Sequence, residues 1–332
     1  MDVKITPVVL CVDSRIGVPG CVIGDKVTAG RLLMTESDAR ASLISELNRK
    51  KNTIPSAEVM LSSNLEEDCL RKFDVATFIP KSSDPAHIVR QKIFEIAGNL
   101  REKSTLYFSA DKLTAEKYRD FLERFGEVSE RVKNDCKLLQ VRDPTQPRNK
   151  GFMQYRKIEH SIKGADCKFK LIEGLSTGEE RSAVEMLTRE LEPEDGEKVL
   201  DFSSSFGGVG VFLSKIDNVI PTFVHRNAYV KDIVQENCDL NNINEFEAVT
   251  DDGAEGLGTS SLDKVAYRVN PSDHKDVIEQ DIQEFFRVLK PGGKLFVCHS
   301  RDFEADNLMQ RIFNDCNICR REVDHQVSVS VK

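Results

Sequence analysis

Nowhere does the 332-residue chain hold an apolar run long enough to cross a bilayer, about 18 residues or more, so no transmembrane helix is expected. Its N-terminus, MDVKITPVVLCVDSR, lacks a basic region followed by a long apolar stretch. That excludes a secretory signal there, and it is not an Arg- and Ser-rich transit peptide either. A disulfide framework is lacking too: nine cysteines, an odd number, are scattered along the chain and read as reduced intracellular thiols. A cytoplasmic location is the expectation. The one CxxC, Cys316 and Cys319 in NDCNICRRE, has no second CxxC and no His pair at zinc spacing beside it. It reads as two thiols on a terminal turn or helix, and no metal is expected.

What is present is an ordinary globular balance. Hydrophobic residues make up 39% and charged residues 31%, which excludes disorder. The length exceeds one average domain, so two are expected. The net charge of −8 is unevenly spread. Residues 1–150 carry 25 Lys and Arg against 22 Asp and Glu; residues 151–332 carry 22 against 33. The acidic second half is a poor holder of nucleic acid by itself. Between the halves, residues 141–170 hold eight basic and three acidic residues, fit either to touch phosphates or to form a solvated linker. Pro144 and Pro147 mark a boundary in this polar stretch. The expected layout is a domain over 1–145, a basic linker over 146–170 and a second domain over 171–332.

Each half alternates strand and helix signals. In the first, TPVVLCV, AEVMLSS, DVATFIP, STLYFSA and CKLLQVR read as strands. TESDARASLISELNRK reads as a helix capped by Thr35 or Ser37, and PAHIVRQKIFEIAGNL and TAEKYRDFLERFG as helices. In the second, EKVLDFS, VIPTFVH, FEAVTDD, LDKVAYRVN, KLFVCHS and HQVSVSV are strands. Between them lie helical segments, the longest being HKDVIEQDIQEFFRVLKPGG with a Pro-Gly-Gly stop. Such alternation implies an α/β fold: two mostly parallel twisted sheets with helices on both faces, in tandem. Sites in this architecture form at the carboxyl ends of the strands.

Four places in the second half hold candidate site residues. VLDFSSSFGGVGVFLSK has an acid, Asp201, then a small-residue turn with Ser203, Ser205 and Gly207, then a helix. Taken alone, this is a nucleoside-cradling turn or a tight turn with no ligand. TFVHRNAYV ends a strand in His225. AVTDDGAEG follows a strand with Asp251 and Asp252, and VAYRVNPSDHKD places Asn270 and Pro271 at a strand end.

Together with the Lys-Pro-Gly-Gly-strand run FFRVLKPGGKLFVCHS, these residues resemble the class I S-adenosylmethionine-dependent methyltransferases. The whole chain, over about 55–332, resembles the tandem-domain small-subunit ribosomal RNA guanine methyltransferases, whose N-terminal half is a degenerate copy of the catalytic one. In the first half that rests on DVATFIPKSSDPAHIVRQKIFEIAGNL. The resemblance implies two Rossmann-like methyltransferase domains and S-adenosylmethionine as cofactor. It implies that Asp201, Ser203, Ser205 and Gly207 line the cofactor turn. Ser203 and Ser205 replace the family's first two glycines, at a conformational cost wherever the turn needs positive φ. His225 replaces the family's ribose-binding acid; a neutral imidazole accepts one such bond. Asp251 or Asp252 would contact the adenine amine. Asn270 and Pro271 would hold the guanine amine, while Ser272 and Asp273 replace a proline and the stacking aromatic. RNA, held through the N-terminal domain and the basic linker, is the implied partner, with no DNA and no membrane. A non-catalytic scaffold is the alternative. A dinucleotide oxidoreductase is disfavoured, since the glycine spacing is wrong and no acid ends the second strand.

Overall fold

The computed structural model describes residues 6–332 apart from 14–15, 28, 70–71 and 148–150. Two compact units emerge, Met1–Gln154 and Tyr155–Lys332.

The N-terminal unit runs β1 (Val8–Val12), α1 (Val18–Lys26), β2 (Arg31–Glu36), α2 (Ala39–Lys51), β3 (Ala57–Leu61), α3 (Leu65–Asp68), β4 (Phe73–Phe78), α4 (Ala86–Gly98), β5 (Leu100–Asp111), α5 (Lys112–Leu122), β6 (Glu127–Lys133) and β7 (Cys136–Arg142). Its sheet has the order β3-β2-β1-β4-β5-β7-β6. The first five strands are parallel, and β7 and β6 add as an antiparallel hairpin.

The C-terminal unit opens with an antiparallel hairpin, β8 (Tyr155–Ile162) and β9 (Ala165–Ile172). There follow α6 (Gly178–Glu190), β10 (Lys198–Phe202), α7 (Gly208–Asp217), β11 (Ile220–His225), α8 (Ala228–Leu240), β12 (Glu247–Thr250), β13 (Leu262–Arg268), α9 (Lys275–Val288), β14 (Leu289–Ser300), α10 (Ala305–Phe313), β15 (Asn317–Arg321) and β16 (His325–Val331). The main sheet order is β12-β11-β10-β13-β14-β16-β15, the same pattern as in the first unit. The two units therefore share one topology.

Strands buried on both faces are apolar throughout, as β1 (VVLCV) is; β10 (KVLDF) departs at exposed Lys198 and at the buried Asp201. The core of the first unit gathers Phe73, Phe78, Phe108 and Tyr118; that of the second gathers Val265, Tyr267, Ile282 and Phe285. Among the described residues, no helix is long and apolar enough to cross a membrane.

Several expectations need correcting. The cap of α2 is Asp38, whose carboxylate accepts from the Ala41 N–H at 2.9 Å; Thr35 and Ser37 precede it, and Ser37 Oγ donates to Asp13 instead. Residues 18–34, given no element, form α1 and most of β2, whose last two residues, Thr35 and Glu36, fall at the start of an expected helix. From Tyr155 onward the expected linker is the β8–β9 hairpin, and Arg148 and Lys150 of that segment lie outside the described residues. The Lys-Pro-Gly-Gly run begins β14 rather than ending α9. Cys319 lies in strand β15, not in a helix, at a register shift between Ile318 and Arg320. Its thiol donates to the Val327 carbonyl, whereas the Cys316 thiol faces Asp306 at 3.9 Å, so the two cysteines serve separate partners.

Candidate functional site

In the C-terminal sheet the strand order reverses between β10 and β13, and the crevice outside their carboxyl ends is where ligands bind in such folds. Asp201, next to the end of β10, is 3% exposed. Its Oδ1 accepts from the Ser203 N–H at 3.0 Å and from Ser203 Oγ; its Oδ2 accepts from the Gly210 N–H at 3.0 Å. The carboxylate thus ties the strand end to the first turn of α7. Burial pushes its pKa up, against the lowering effect of those bonds.

The serines occupy the glycine positions without strain. Only Gly207 in the turn has positive φ, 72°, and a Cβ there would come within 2.9 Å of the Phe223 ring. Ser203 and Ser205 lie outside the left-handed region, so the expected conformational cost does not arise. Their hydroxyls are spent on the protein itself. Ser205 Oγ donates to Glu180 Oε2 at 2.8 Å and lies 2.7 Å from Ser176 Oγ, while Ser204 Oγ accepts from the Gly208 N–H at 3.0 Å. Glu180 reaches the turn because it is the last residue of a capping box, three residues after the Thr177 cap, to which its N–H bonds. Its pKa is raised by burial, against the Ser205 bond and the Arg268 charge.

At the end of β11, His225 Nδ1 accepts from the Asn227 N–H at 3.0 Å. Burial, with the Arg226 and Arg268 charges beside it, pulls its pKa down to about 4, so the ring is neutral at pH 7. With Nδ1 accepting, the proton sits on Nε2. The ring nitrogen able to accept is therefore already engaged by the Asn227 N–H, and Nε2 is left as a donor.

Arg226, the next residue, dominates this end of the sheet. Its guanidinium lies 5.2 Å from the Phe202 ring centroid. It meets Asp252 at 2.9 Å, Asp281 at 2.5 Å and Asp273 at 3.6 Å. Asp281 is 1% exposed and also accepts from the Tyr267 hydroxyl at 3.0 Å. Burial would lower the Arg226 pKa, but Asp281 and Asp252 outweigh it and raise it. Asp251 instead builds its own loop, accepting from the N–H groups of Asp252 at 2.7 Å and Gly256 at 3.0 Å.

Asn270 and Pro271 are exposed at the end of β13. Asn270 Oδ1 accepts from Ser272 N at 3.2 Å and Ser272 Oγ at 2.9 Å, an Asx-type turn. The oxygen expected to grip an acceptor amine is engaged by Ser272.

The structure therefore gathers Asp201, Ser203, Ser205 and Gly207 in one turn. It links His225 and Asp252, and through Asp273 the Asn270–Pro271 corner, around Arg226. Sequence reasoning missed Phe202, Arg226, Tyr267, Asp281, Glu180 and Arg268. The signals available were the Thr177–Glu180 capping box and the charge of Arg226 beside His225.

The tandem topology and the switch-point turn define a class I methyltransferase fold. Residues 175–328 match the family model of the methyltransferase small domain. The matched segment lies within the C-terminal unit and covers less than half of the chain. Among solved structures, the chain is similar to the T. thermophilus 16S rRNA N2 G1207 methyltransferase in complex with AdoMet and guanosine: TM-score 0.79, 17% identity, 98% of this chain and 88% of that one. Shorter likenesses run to M. jannaschii TYW2 in complex with AdoMet (TM-score 0.41, 16% identity, 54% of this chain, 86% of that one). Another is the ribosomal protein L11 methylase from Lactobacillus delbrueckii subsp. bulgaricus (TM-score 0.35, 23% identity, 42% and 71%). No curated protein matches the sequence.

Proposed function

We propose that the C-terminal unit binds S-adenosylmethionine and methylates RNA, with a guanine exocyclic amine of ribosomal RNA as acceptor. The observation that carries this is the Asp201-tied turn at the switch point. It keeps a buried carboxylate on Gly210 and a left-handed Gly207 although two glycines have become serine. The similar T. thermophilus enzyme, solved with AdoMet and guanosine, supports it.

The residues fit the cofactor with changed roles. The Ser203–Gly207 turn would face it, and the His225 Nε2–H would donate to a ribose hydroxyl, which both gives and takes hydrogen bonds. Asp252 would stand at the adenine end, already paired with Arg226. The bound sulfonium supplies an activated methyl group. Its displacement is in-line and needs no strong acid or base, so the protein's part is positioning. Asn270 and Pro271 would orient the acceptor amine once Asn270 Oδ1 is released from Ser272. RNA would be held by the N-terminal unit and by the basic segment, where Arg156 and Lys157 are exposed.

A second reading, a non-catalytic RNA- or protein-binding scaffold, is favoured by one observation: Arg226 and three aspartates satisfy one another across the strand ends. The two separate in a transfer assay with labelled S-adenosylmethionine and unmethylated small-subunit ribosomal RNA. The enzyme reading expects label on guanine N2, lost in Asn270→Ala. Cofactor binding without transfer to any RNA would leave the scaffold.

A further inference from the structure

In the C-terminal unit the β8–β9 hairpin lies over α7 and α8. The Phe169 ring sits 5.2 Å from Phe206 and 5.4 Å from Phe212. Two asparagines one helical turn apart read the backbone of β9. Asn237 Oδ1 accepts from Lys170 N at 2.7 Å and its Nδ2 donates to Lys170 O at 3.0 Å. Asn241 does the same to Lys168, at 3.0 and 2.7 Å. The spacing fits: four helical residues rise about 6 Å, and two strand residues about 6.6 Å.

The N-terminal unit carries the same receptor. Gly17 and Gly207 are both left-handed caps, of α1 and α7. Asn237 Nδ2 donates to Phe206 O at 2.9 Å and Asn241 Nδ2 to Asn237 O at 2.7 Å. In the first unit Asn48 Nδ2 donates to Ile16 O at 2.7 Å and Asn52 Nδ2 to Asn48 O at 2.8 Å. Ile16, Val22, Asn48 and Asn52 therefore stand where Phe206, Phe212, Asn237 and Asn241 stand. Among the described residues no strand covers them. Ile16 is 42% exposed, Val22 63% and Leu47 55%, whereas Phe212 is fully buried.

Charge indicates what would fit. The occupied helix α8 is acidic, with Asp232, Glu236 and Asp239 against Lys231, and its hairpin is basic; Lys170 meets Glu236 at 2.6 Å. Helix α2 is the reverse in net charge, with Arg40, Arg49, Lys50 and Lys51 against Glu46, and Leu47 stands where Glu236 meets Lys170. We propose that the α1–α2 face of the N-terminal unit docks an extended strand of a partner protein, alternating acidic and apolar residues, its backbone held by Asn48 and Asn52. This is strand recognition with amide side chains in place of a sheet edge.

The test uses the full chain and a fluorescein-labelled peptide of residues 155–172 carrying Lys157→Glu, Lys168→Glu and, opposite Leu47, Lys170→Leu. Saturable anisotropy is expected, weakened about tenfold or more by Val22→Ser or Leu47→Ser, both at exposed positions, and by Asn52→Ala. The unaltered basic peptide should bind about tenfold more weakly or worse. Absence of saturable binding overturns the proposal, as does binding indifferent to these substitutions. A homodimer dissolved by Val22→Ser would make a second copy the occupant, and an RNA that competes at this face would make it a nucleic-acid surface; either result also overturns it.

Discussion

Arg226 Nη2 donates to Asp281 Oδ1 at 2.5 Å, joining the end of β11 to the middle of α9 across the carboxyl ends of the sheet. Asp281 is almost wholly buried, so its loss would strand Arg226 among weaker partners and leave the Tyr267 hydroxyl without its acceptor. Removing one member of a buried pair costs about 3–5 kcal/mol. Asp281→Ala should therefore lower the urea midpoint by a large fraction of total stability. An unchanged midpoint would mean that the cluster contributes little.

The switch-point turn rests on Ser203 as much as on glycine. Ser203→Ala removes the hydroxyl bond to a buried carboxylate and should cost about 1–3 kcal/mol in chemical denaturation. Ser203→Gly should not restore it, because φ at this position needs no glycine.

Gly207 is the opposite case. Gly207→Ala combines an unfavourable φ with a Cβ 2.9 Å from Phe223 and 3.1 Å from Val234. A loss of about 1–3 kcal/mol is expected, read as a lower melting temperature with the far-UV spectrum retained.

His225 predicts a pH dependence. Its folded pKa, about 4, lies below the value of about 6.5 of an unperturbed imidazole. The unfolded chain therefore binds the proton first. The contribution of His225 to stability is complete above pH about 6.5 and declines as pH falls towards 4. His225→Asn removes this proton, so the difference in unfolding free energy between wild type and variant should shrink from pH 7 to pH 4.5. A constant difference would place the imidazole in a solvated setting.

Much of this was legible in the sequence where one stretch carried the signal alone. The alternation in 171–332, Asp201 before a small-residue turn, and the apolar central strands all follow from local pattern. Helix α1 was hidden because VPGCVIGDK holds a proline and two glycines and no clear amphipathic period. Edge strands β6 (EVSERVK) and β15 (NICRR) are largely exposed and lack a buried face to reveal them. The β8–β9 hairpin looked like a linker because its lysines alternate with the buried face, as Lys168 and Lys170 do around Phe169, and give the segment a basic, polar composition. The Arg226 cluster draws Asp252, Asp273 and Asp281 from three later segments, which no local window brings together. The proton position on His225 depends on a backbone N–H two residues on, which only coordinates show.

The most direct measurement is calorimetric titration of the full chain with S-adenosylmethionine and S-adenosylhomocysteine. The account predicts saturable one-site binding of both, weakened in His225→Phe, which removes the Nε2–H donor. No saturable heat at millimolar ligand would contradict it and leave a methyltransferase fold whose strand ends are closed by Arg226 and its aspartates.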